Sequence, residues 1–291
     1  MLLWSRKVRL TATGASGITV NPGTSTDDQV KIGFSVVKSL SSSANEATIR
    51  VWNLSEGHRN AMGRELEDVR LEAGYVPGED GTGVIFEGQI RKAKHTREGG
   101  DIITTLECGD GDRGLRRGAV SQFFPAGAPG DAPLRFVADA FKAHGVRVGE
   151  MKLPALPSLR RPYAMWGSAR REMDRLCREA RVYWSIQNGT LETLPGDGWL
   201  SGVQSFDGAS GLVGVPAVTD NGVEAEVLLS PGIRPGRQVR IVSDLVDLGA
   251  EDGLFRVSAV TFTGDNHEGP FLAKITGEAV RGGKVDEGGR Q

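Results

Sequence analysis

Short runs of β-branched and aromatic residues, separated by glycine-rich clusters, constrain the fold of this chain more than any other feature. Glycine occupies 41 of the 291 positions, about twice its usual share of roughly 7%. Glycine weakens the interiors of helices and strands but suits tight turns. The excess therefore predicts many short strands joined by many turns, and it disfavours a mainly helical fold.

The first third of the chain contains six such runs with no long helix between them. In the second run, Val30, Ile32, Phe34 and Val36 alternate with more polar residues, which indicates one buried face and one exposed face. Closing an antiparallel sheet removes its exposed edges. We therefore predict a β-barrel-like domain over residues 1–117. The predicted strands are 7–13, 30–37, 47–53, 69–75, 84–94 and 101–108.

Residues 118–200 have a different pattern and form a predicted α+β insert. A Pro/Gly/Ala loop over 121–133 precedes a helix that Asp131 would cap, and a second helix begins near Ser168. The Asn188-Gly189 pair then predicts a hairpin with a type I′ turn.

Residues 201–282 return to short strands and repeat part of the first domain. An offset of 170 residues aligns Val69-Arg70 with Val239-Arg240, and it also aligns several later glycine turns. A chance match between two glycine-rich β segments is the alternative explanation. If the repeat is real, the chain holds two related antiparallel β-barrel-like domains, followed by a disordered tail over 283–291. The predicted strands here are 225–229, 238–242, 254–263 and 271–277.

Charge and cysteine content exclude several classes of protein. The 35 basic and 37 acidic residues leave a net charge of −2, whereas electrostatic binding to nucleic acid or an anionic membrane calls for a basic excess. Cys108 and Cys177 lack CxxC spacing, which argues against a disulfide framework or a zinc site. No segment resembles a signal peptide or a membrane span, so we expect synthesis in the cytoplasm and no membrane anchor.

Catalytic motifs are weak throughout the sequence. The GDGDRG segment at 109–114 matches a dinucleotide-binding pattern, but its two aspartates would repel a pyrophosphate and no strand–helix–strand unit surrounds it. The histidines are scattered, and acidic runs resemble solvated turns rather than a catalytic pair. We predict no enzyme activity, no cofactor and no metal. The acidic residues considered were Glu65, Glu67, Asp68, Asp110 and Asp112.

Two features of the insert are candidates for a subunit interface. Phe123 and Phe124 either pack into the insert or anchor a partner, because aromatic residues are enriched at interface hot spots. The second helix presents Arg171, Arg175 and Arg178 on its polar face, which is either a solvated surface or a contact for an acidic partner.

Three segments carry a family resemblance: ATIRVWNLSEGHRN at 47–60, VRLEAGYVPGEDGTGVIFEGQIRKAKHTREGGDIITTLECGDG at 69–111, and LCREARVYWSIQNGTLETLP at 176–195. Together with the final strands at 253–278, their order resembles baseplate hub proteins of tailed bacteriophages. These are the late-control hub proteins of contractile tails, which are similar to the N-terminal part of type VI secretion spike proteins. The resemblance covers about residues 45–280.

The resemblance implies a structural, non-enzymatic hub in the virion tail. Three copies would form a pseudo-sixfold ring of tube-like barrels that adapts a hexameric tail tube to a trimeric central spike and leaves a channel for DNA. Implied partners are the tail tube or distal tail proteins, other baseplate proteins, and a spike or tail tip protein that is a separate chain. DNA would pass without sequence-specific binding. The alternatives are a tail-associated peptidoglycan hydrolase and a carbohydrate-binding β-domain, although the five tryptophans are scattered.

Overall fold

The computed structural model of the chain describes residues 5–14, 17–22, 29–62, 68–76, 81–248, 253–281 and 284–285. Helices within these ranges are short: α1 (Glu56–Ala61), α2 (Asp112–Arg117), α3 (Ala132–Lys142) and α4 (Ala169–Ala180). The strands are β1 (Ser5–Thr13), β2 (Ile18–Val20), β3 (Ile32–Ser39), β4 (Glu46–Trp52), β5 (Asp68–Val76), β6 (Thr82–Glu98), β7 (Asp101–Gly109), β8 (Ala119–Phe124), β9 (Arg147–Met151), β10 (Tyr163–Ser168), β11 (Val182–Gln187), β12 (Thr190–Pro195), β13 (Val203–Phe206), β14 (Leu212–Thr219), β15 (Gly222–Leu228), β16 (Gln238–Ile241), β17 (Leu254–Asp265), β18 (Phe271–Arg281) and β19 (Lys284–Val285).

The mainly β class with a few short helices is confirmed. Each strand predicted outside the insert is present, from β1 to β18. Ile32, Phe34 and Val36 are buried on β3, whereas Ser35 between them is exposed. The alternation in the sequence therefore identified the strand and the face that it buries. At the end of the chain, β19 pairs with β18, and residues 286–291 lie outside the described ranges.

One large open sheet replaces the two separate β-barrel-like domains that the strand pattern predicted. Among the described strands, hydrogen bonding runs in the order β14-β15-β18-β17-β3-β4-β7-β6-β5-β1-β2, and the two ends do not pair. The long strand β17 explains this correction. The first part of one of its edges pairs with β16, and the rest of that edge pairs with β3. The final third of the chain thus continues into the first third instead of closing on itself.

The sheet nevertheless contains the same topology twice. The first unit has the order β3-β4-β7-β6-β5, and the second unit has the order β14-β15-β18-β17-β16. In each unit, residues paired from strand to strand form a row across four strands, and the two rows occupy equivalent positions. The row is Glu46, Gly109, Gln89 and Asp68 in the first unit, and Gly222, Glu278, Arg256 and Gln238 in the second.

Finer features of the two units also agree. The β6–β7 pairing is interrupted between Ile90 and Lys92, and the β17–β18 pairing is interrupted at the equivalent place, between Val257 and Ala259. The 170-residue offset holds for β5 and β16 and shifts by a few residues in the later strands. The strand order and the register of the two units support a repeat rather than a chance match.

The insert packs around its own hydrophobic cluster, which includes Leu134, Val137, Phe141, Met173 and Trp184. Its predicted helices and hairpin are present as α3, α4 and β11–β12. The predicted loop over 121–133 is partly wrong, because its first residues belong to β8. That strand pairs with β10, a tertiary contact that the local pattern does not encode.

Hydrophobic residues of both units share one core. Val36, Ile49, Leu71 and Leu106 of the first unit belong to the same buried cluster as Phe255 and other residues of the second. Because β17 pairs with β3, this cluster passes from one unit to the other without a break. Nonlocal pairing and this shared core therefore position the edges of the large sheet, whereas the insert surfaces rest on the separate cluster of the insert.

Candidate interaction surfaces

A buried polar cluster holds the insert hairpin against the sheet. We define the polar cluster as Lys38, Asn45, Asp110, Gln187 and Asn188, which are all buried. The Asp110 carboxylate accepts hydrogen bonds from the backbone N–H groups of Asn188 at 2.6 Å and Gly189 at 2.8 Å. Lys38 Nζ donates to Asn188 Oδ1 at 2.6 Å, and Asn45 Nδ2 donates to the Ile186 carbonyl at 2.7 Å. The hairpin turn is therefore bonded to residues from β3 and from the end of β7.

The turn has the backbone that the sequence predicted. Asn188 and Gly189 both have positive φ, at 51° and 68°, as a type I′ turn requires. This geometry points two successive amides at Asp110. Burial raises the pKa of Asp110 and lowers the pKa of Lys38, because each charged form loses water, whereas the opposite charge of the other residue opposes both shifts. The cluster has a structural role rather than a catalytic one.

An exposed aromatic pair lies on the small β8–β10 sheet of the insert. Phe123 is 59% exposed and Trp166 is 82% exposed. Phe123 pairs with Ala164, and Trp166 pairs with Ser121, so the two rings project from the same face of the sheet on neighbouring pairs. The sequence indicated Phe123 but did not single out Trp166. The neighbours of Trp166 at strand spacing, Ala164 and Ser168, are small, so no bulky apolar alternation marked this position.

The two phenylalanines of the predicted interface pair face opposite ways. Phe124 packs against Phe136, with ring centroids 6.0 Å apart, and against Tyr163 at 6.4 Å. Phe124 therefore belongs to the insert interior, whereas Phe123 faces outward. The sequence left two alternatives for both rings, packing or a partner contact. Phe124 fits packing, and Phe123 fits a partner contact.

The predicted arginine face of α4 is on the surface. Arg171, Arg175 and Arg178 are all exposed, whereas Met173 and Cys177 on the other face are buried. Arg175 also has intramolecular contacts: it bonds Glu172 at 2.6 Å and lies over the Tyr163 ring at 4.9 Å. Arg171 and Arg178 remain the better candidates for contact with another chain.

The acidic residues that were considered for catalysis have structural partners. Asp112 is buried and pairs with Arg91, and Asp68 accepts bonds from Gln89 and Arg113. Gly111 in GDGDRG has φ of 67° and precedes the short helix α2, so the segment is a turn. Glu65 and Glu67 lie outside the described residues.

The described part of the chain offers neither a metal centre nor a membrane-spanning helix. The described residues contain no group of three or more His, Cys, Asp or Glu side chains that could hold a metal ion. Within the same ranges, none of the helices combines the length and apolar character needed to cross a bilayer.

Two exposed sheet edges are further candidate surfaces, and the sequence did not predict them. Strand β14 is the end of the large sheet and presents Val213, Val215 and Val218 to solvent. Strand β6 extends beyond its pairing with β5, which ends at Gln89, and continues to Glu98 against β7 alone among the described strands. Exposed edges of this kind are ready to pair with another strand.

Comparison with known proteins identifies the family. The model of the family described as "Baseplate hub gp41" matches residues 9–277. No curated protein sequence matches the chain significantly.

Several solved structures share the fold at low sequence identity. A 43 kDa tail protein of prophage MuSo2 from Shewanella oneidensis has 12% identity and a TM-score of 0.64, covering 97% of this chain and 99% of that one. A tail protein from Neisseria meningitidis MC58 has 10% identity and a TM-score of 0.61, with coverage of 97% and 98%. The Escherichia coli c3393 protein, a type VI secretion component similar to the T4 tail proteins gp27 and gp5, has 11% identity and a TM-score of 0.62, with coverage of 91% and 77%.

The family match spans most of the chain, and it agrees with the duplicated sheet and with the structural use of the acidic residues. A baseplate hub is a structural part of the virion tail, so the predicted structural role is confirmed. The chain belongs to the baseplate hub gp41 family of bacteriophage tail proteins.

Proposed function

We propose that this hub forms a trimeric ring with pseudo-sixfold symmetry in the baseplate. The ring joins a hexameric tail tube, or distal tail proteins, to a trimeric central spike or tail tip protein. In this proposal residues 1–117 and 201–282 supply the two tube-like units of each chain, and residues 118–200 form the insert between them. Three chains then present six similar units, which is what a symmetry adapter needs.

The duplicated topology carries this proposal. Both units have the same strand order, the same register across four strands and the same interruption beside the central hairpin. Two equivalent units in one chain present nearly the same surface twice, so a sixfold partner can contact three chains at equivalent positions. The similar Escherichia coli protein, itself likened to gp27 and gp5, supports placement beside a spike.

The proposed ring also indicates its protein partners and the passage of DNA through it. The Francisella PdpA–VgrG complex contains a similar chain, with a TM-score of 0.56 at 6% identity, which supports a spike protein as one partner. Other baseplate proteins meet the outer face. The net charge of −2 fits a channel through which DNA moves without being retained, because a strongly basic lining would hold the phosphates.

The copy number in assembled tails tests the ring. We expect cryo-electron microscopy of tail particles to show three copies of this chain per tail, with two similar sheet units per copy around the axis. One copy, or six copies with one unit each facing the tube, would contradict the proposal. Mass measurement of the purified chain then tells whether the ring forms before assembly.

The exposed aromatic pair of the insert is proposed to contact a neighbouring baseplate protein with an acidic rim. Phe123 and Trp166 supply the apolar centre, and the exposed Arg171 and Arg178 lie on the helix that follows β10 directly. Aromatic residues and arginine are both enriched at interface hot spots. The observation behind this assignment is the amount of aromatic surface that the folded chain leaves in solvent.

Replacing both aromatic residues of this pair tests the assignment. We expect the double variant Phe123→Ala, Trp166→Ala to fold normally, because both side chains are exposed, but to be incorporated into tails at least about tenfold less well, as loss of hot-spot residues predicts. The matched control is Phe124→Leu, which keeps an apolar side chain in the insert interior and should assemble normally. Normal incorporation of the double variant would contradict the assignment.

A further inference from the structure

We infer that neighbouring chains are joined by strand pairing between the outer half of β6 in one chain and the Ala217–Thr219 end of β14 in the next. The inference comes from comparing the two units. Inside the chain, β17 of the second unit pairs with β3 of the first. By equivalence of the units, β6 corresponds to β17 and β14 corresponds to β3. The edges that correspond to this internal junction are therefore the open edges of β6 and β14.

The equivalence also predicts a register. Within the chain, Thr261 pairs with Val37, Phe262 with Val36 and Thr263 with Ser35. The rows described above map these residues onto Lys94, His95 and Thr96 of β6, and onto Thr219, Val218 and Ala217 of β14. The expected pairs between chains are Lys94 with Thr219, His95 with Val218, and Thr96 with Ala217.

Burial of equivalent residues supports the pairing. Val36 on β3 is fully buried, whereas its counterpart Val218 on β14 is 54% exposed. Val218 thus lacks the neighbouring strand that covers Val36. A strand from a second chain would bury this apolar surface and satisfy the edge backbone groups at the same time.

Irregular pairing and a proline in β14 limit where its edge can pair with another strand. In β14 the register shifts between Val213 and Ala217, a segment that contains Gly214 and the buried Pro216. Proline and irregular pairing block extended pairing at an edge. The Ala217–Thr219 end keeps the longest run of regular pairs with β15, so one short register there is favoured over sliding.

Charge agrees with a heterologous contact, in which different surfaces meet. The outer half of β6 carries Lys92, Lys94 and Arg97, whereas β15, directly behind β14, carries Glu224 and Glu226. Two β6 edges would bring these basic residues together, whereas a β6 edge beside β14 places them near the acidic residues of β15. A head-to-tail contact of this kind closes into a ring when the rotation allows it.

This inference rests on the ring proposed above and adds the strands that close it. Eight consecutive strands, from β14 to β6, then run from one junction to the next in every chain. The single chain has an open sheet because its closing partners belong to its neighbours.

Disulfide trapping tests the register. In the double variant Lys94→Cys, Thr219→Cys both substituted residues are exposed, and directly paired residues have Cα atoms about 4.5–5.5 Å apart, within disulfide range. We expect mild oxidation of assembled tails, and of any purified ring, to give covalent species of up to three chains on non-reducing gels. The native Cys108 and Cys177 are buried, and burial raises the pKa of each thiol to about 12, so neither competes.

The matched control shifts the register by one residue. Lys94→Cys, Val218→Cys directs the two thiols to opposite faces of the sheet, and we expect at least about tenfold less cross-linking. An equal mixture of the two single variants, Lys94→Cys and Thr219→Cys, should stop at two linked chains, because each chain can then form one bond.

The outcomes separate this inference from the proposed function. If tails contain three copies but the in-register pair links no better than the shifted pair, the ring stands and the strand pairing is wrong. If tails contain no ring of this chain, both are wrong. Efficient in-register trapping together with the two-chain limit of the mixture would support both.

Discussion

Replacing Asp110 with alanine is expected to lower the free energy of unfolding by about 3–5 kcal/mol, because two buried amides lose a charged acceptor and a buried lysine loses a nearby opposite charge. The Asn188 and Gly189 amides lose their acceptor, and the buried Lys38 loses the opposite charge that acts on it. Unpaired buried polar groups are costly because they have given up water without compensation. Urea denaturation of the full chain measures the loss.

An exposed aspartate provides the control for Asp110→Ala. Asp139 on α3 pairs with Lys142 at 2.6 Å, and both side chains are more than half exposed. Asp139→Ala should change stability by less than about 0.5 kcal/mol, since exposed pairs contribute little. A loss below about 1 kcal/mol for Asp110→Ala would show that the polar cluster does not hold the hairpin on the sheet.

Replacing Phe262 with alanine is expected to destabilise the chain by about 3–5 kcal/mol, as for other large-to-small changes in a core. Phe262 is fully buried on β17 and pairs with Val36 of β3, where the second unit meets the first. The cavity would open in the core that both units share. We therefore expect one cooperative transition, shifted as a whole, when unfolding is followed by circular dichroism and by tryptophan fluorescence.

The control for Phe262→Ala is the same substitution at an exposed ring. Phe123→Ala removes a side chain that is 59% exposed, so it should cost less than about 1 kcal/mol. Two separate transitions in the Phe262→Ala variant, or transitions that differ between the two probes, would contradict a continuous core. The units would then fold independently in spite of the β17–β3 pairing.

Strands were predictable wherever alternation and turn residues lay close together in sequence. The run from Val30 to Val36 alternates, and β3 buries one face of it. The Asn188-Gly189 turn was likewise predictable, because its conformation depends on two adjacent residues. Several strands were missed, among them β8, β10 and β14. Strand β14 contains Gly214 and Pro216, and β8 and β10 depend on each other across the insert.

The candidate surfaces were predictable only in part, and for a similar reason. Phe123 and Phe124 are adjacent in sequence and equally apolar, yet one is exposed and the other packs against Phe136. The direction of each ring depends on the pairing of β8 with β10. Asp110 looked like a turn residue in GDGDRG, and its partners at Asn188 and Gly189 lie far along the chain.

By itself the sequence determined the β class, the α+β insert between two β segments and the family resemblance to baseplate hubs, and it suggested a repeat that strand order and register then supported. These depend on local periodicity, turn chemistry and the order of motifs. Only the tertiary structure decided that β17 pairs with both β16 and β3, which leaves an open sheet instead of two barrels. A strand can pair with several different strand edges. The free energy of each pairing depends on how much apolar surface it buries, and that burial exists only in the folded chain.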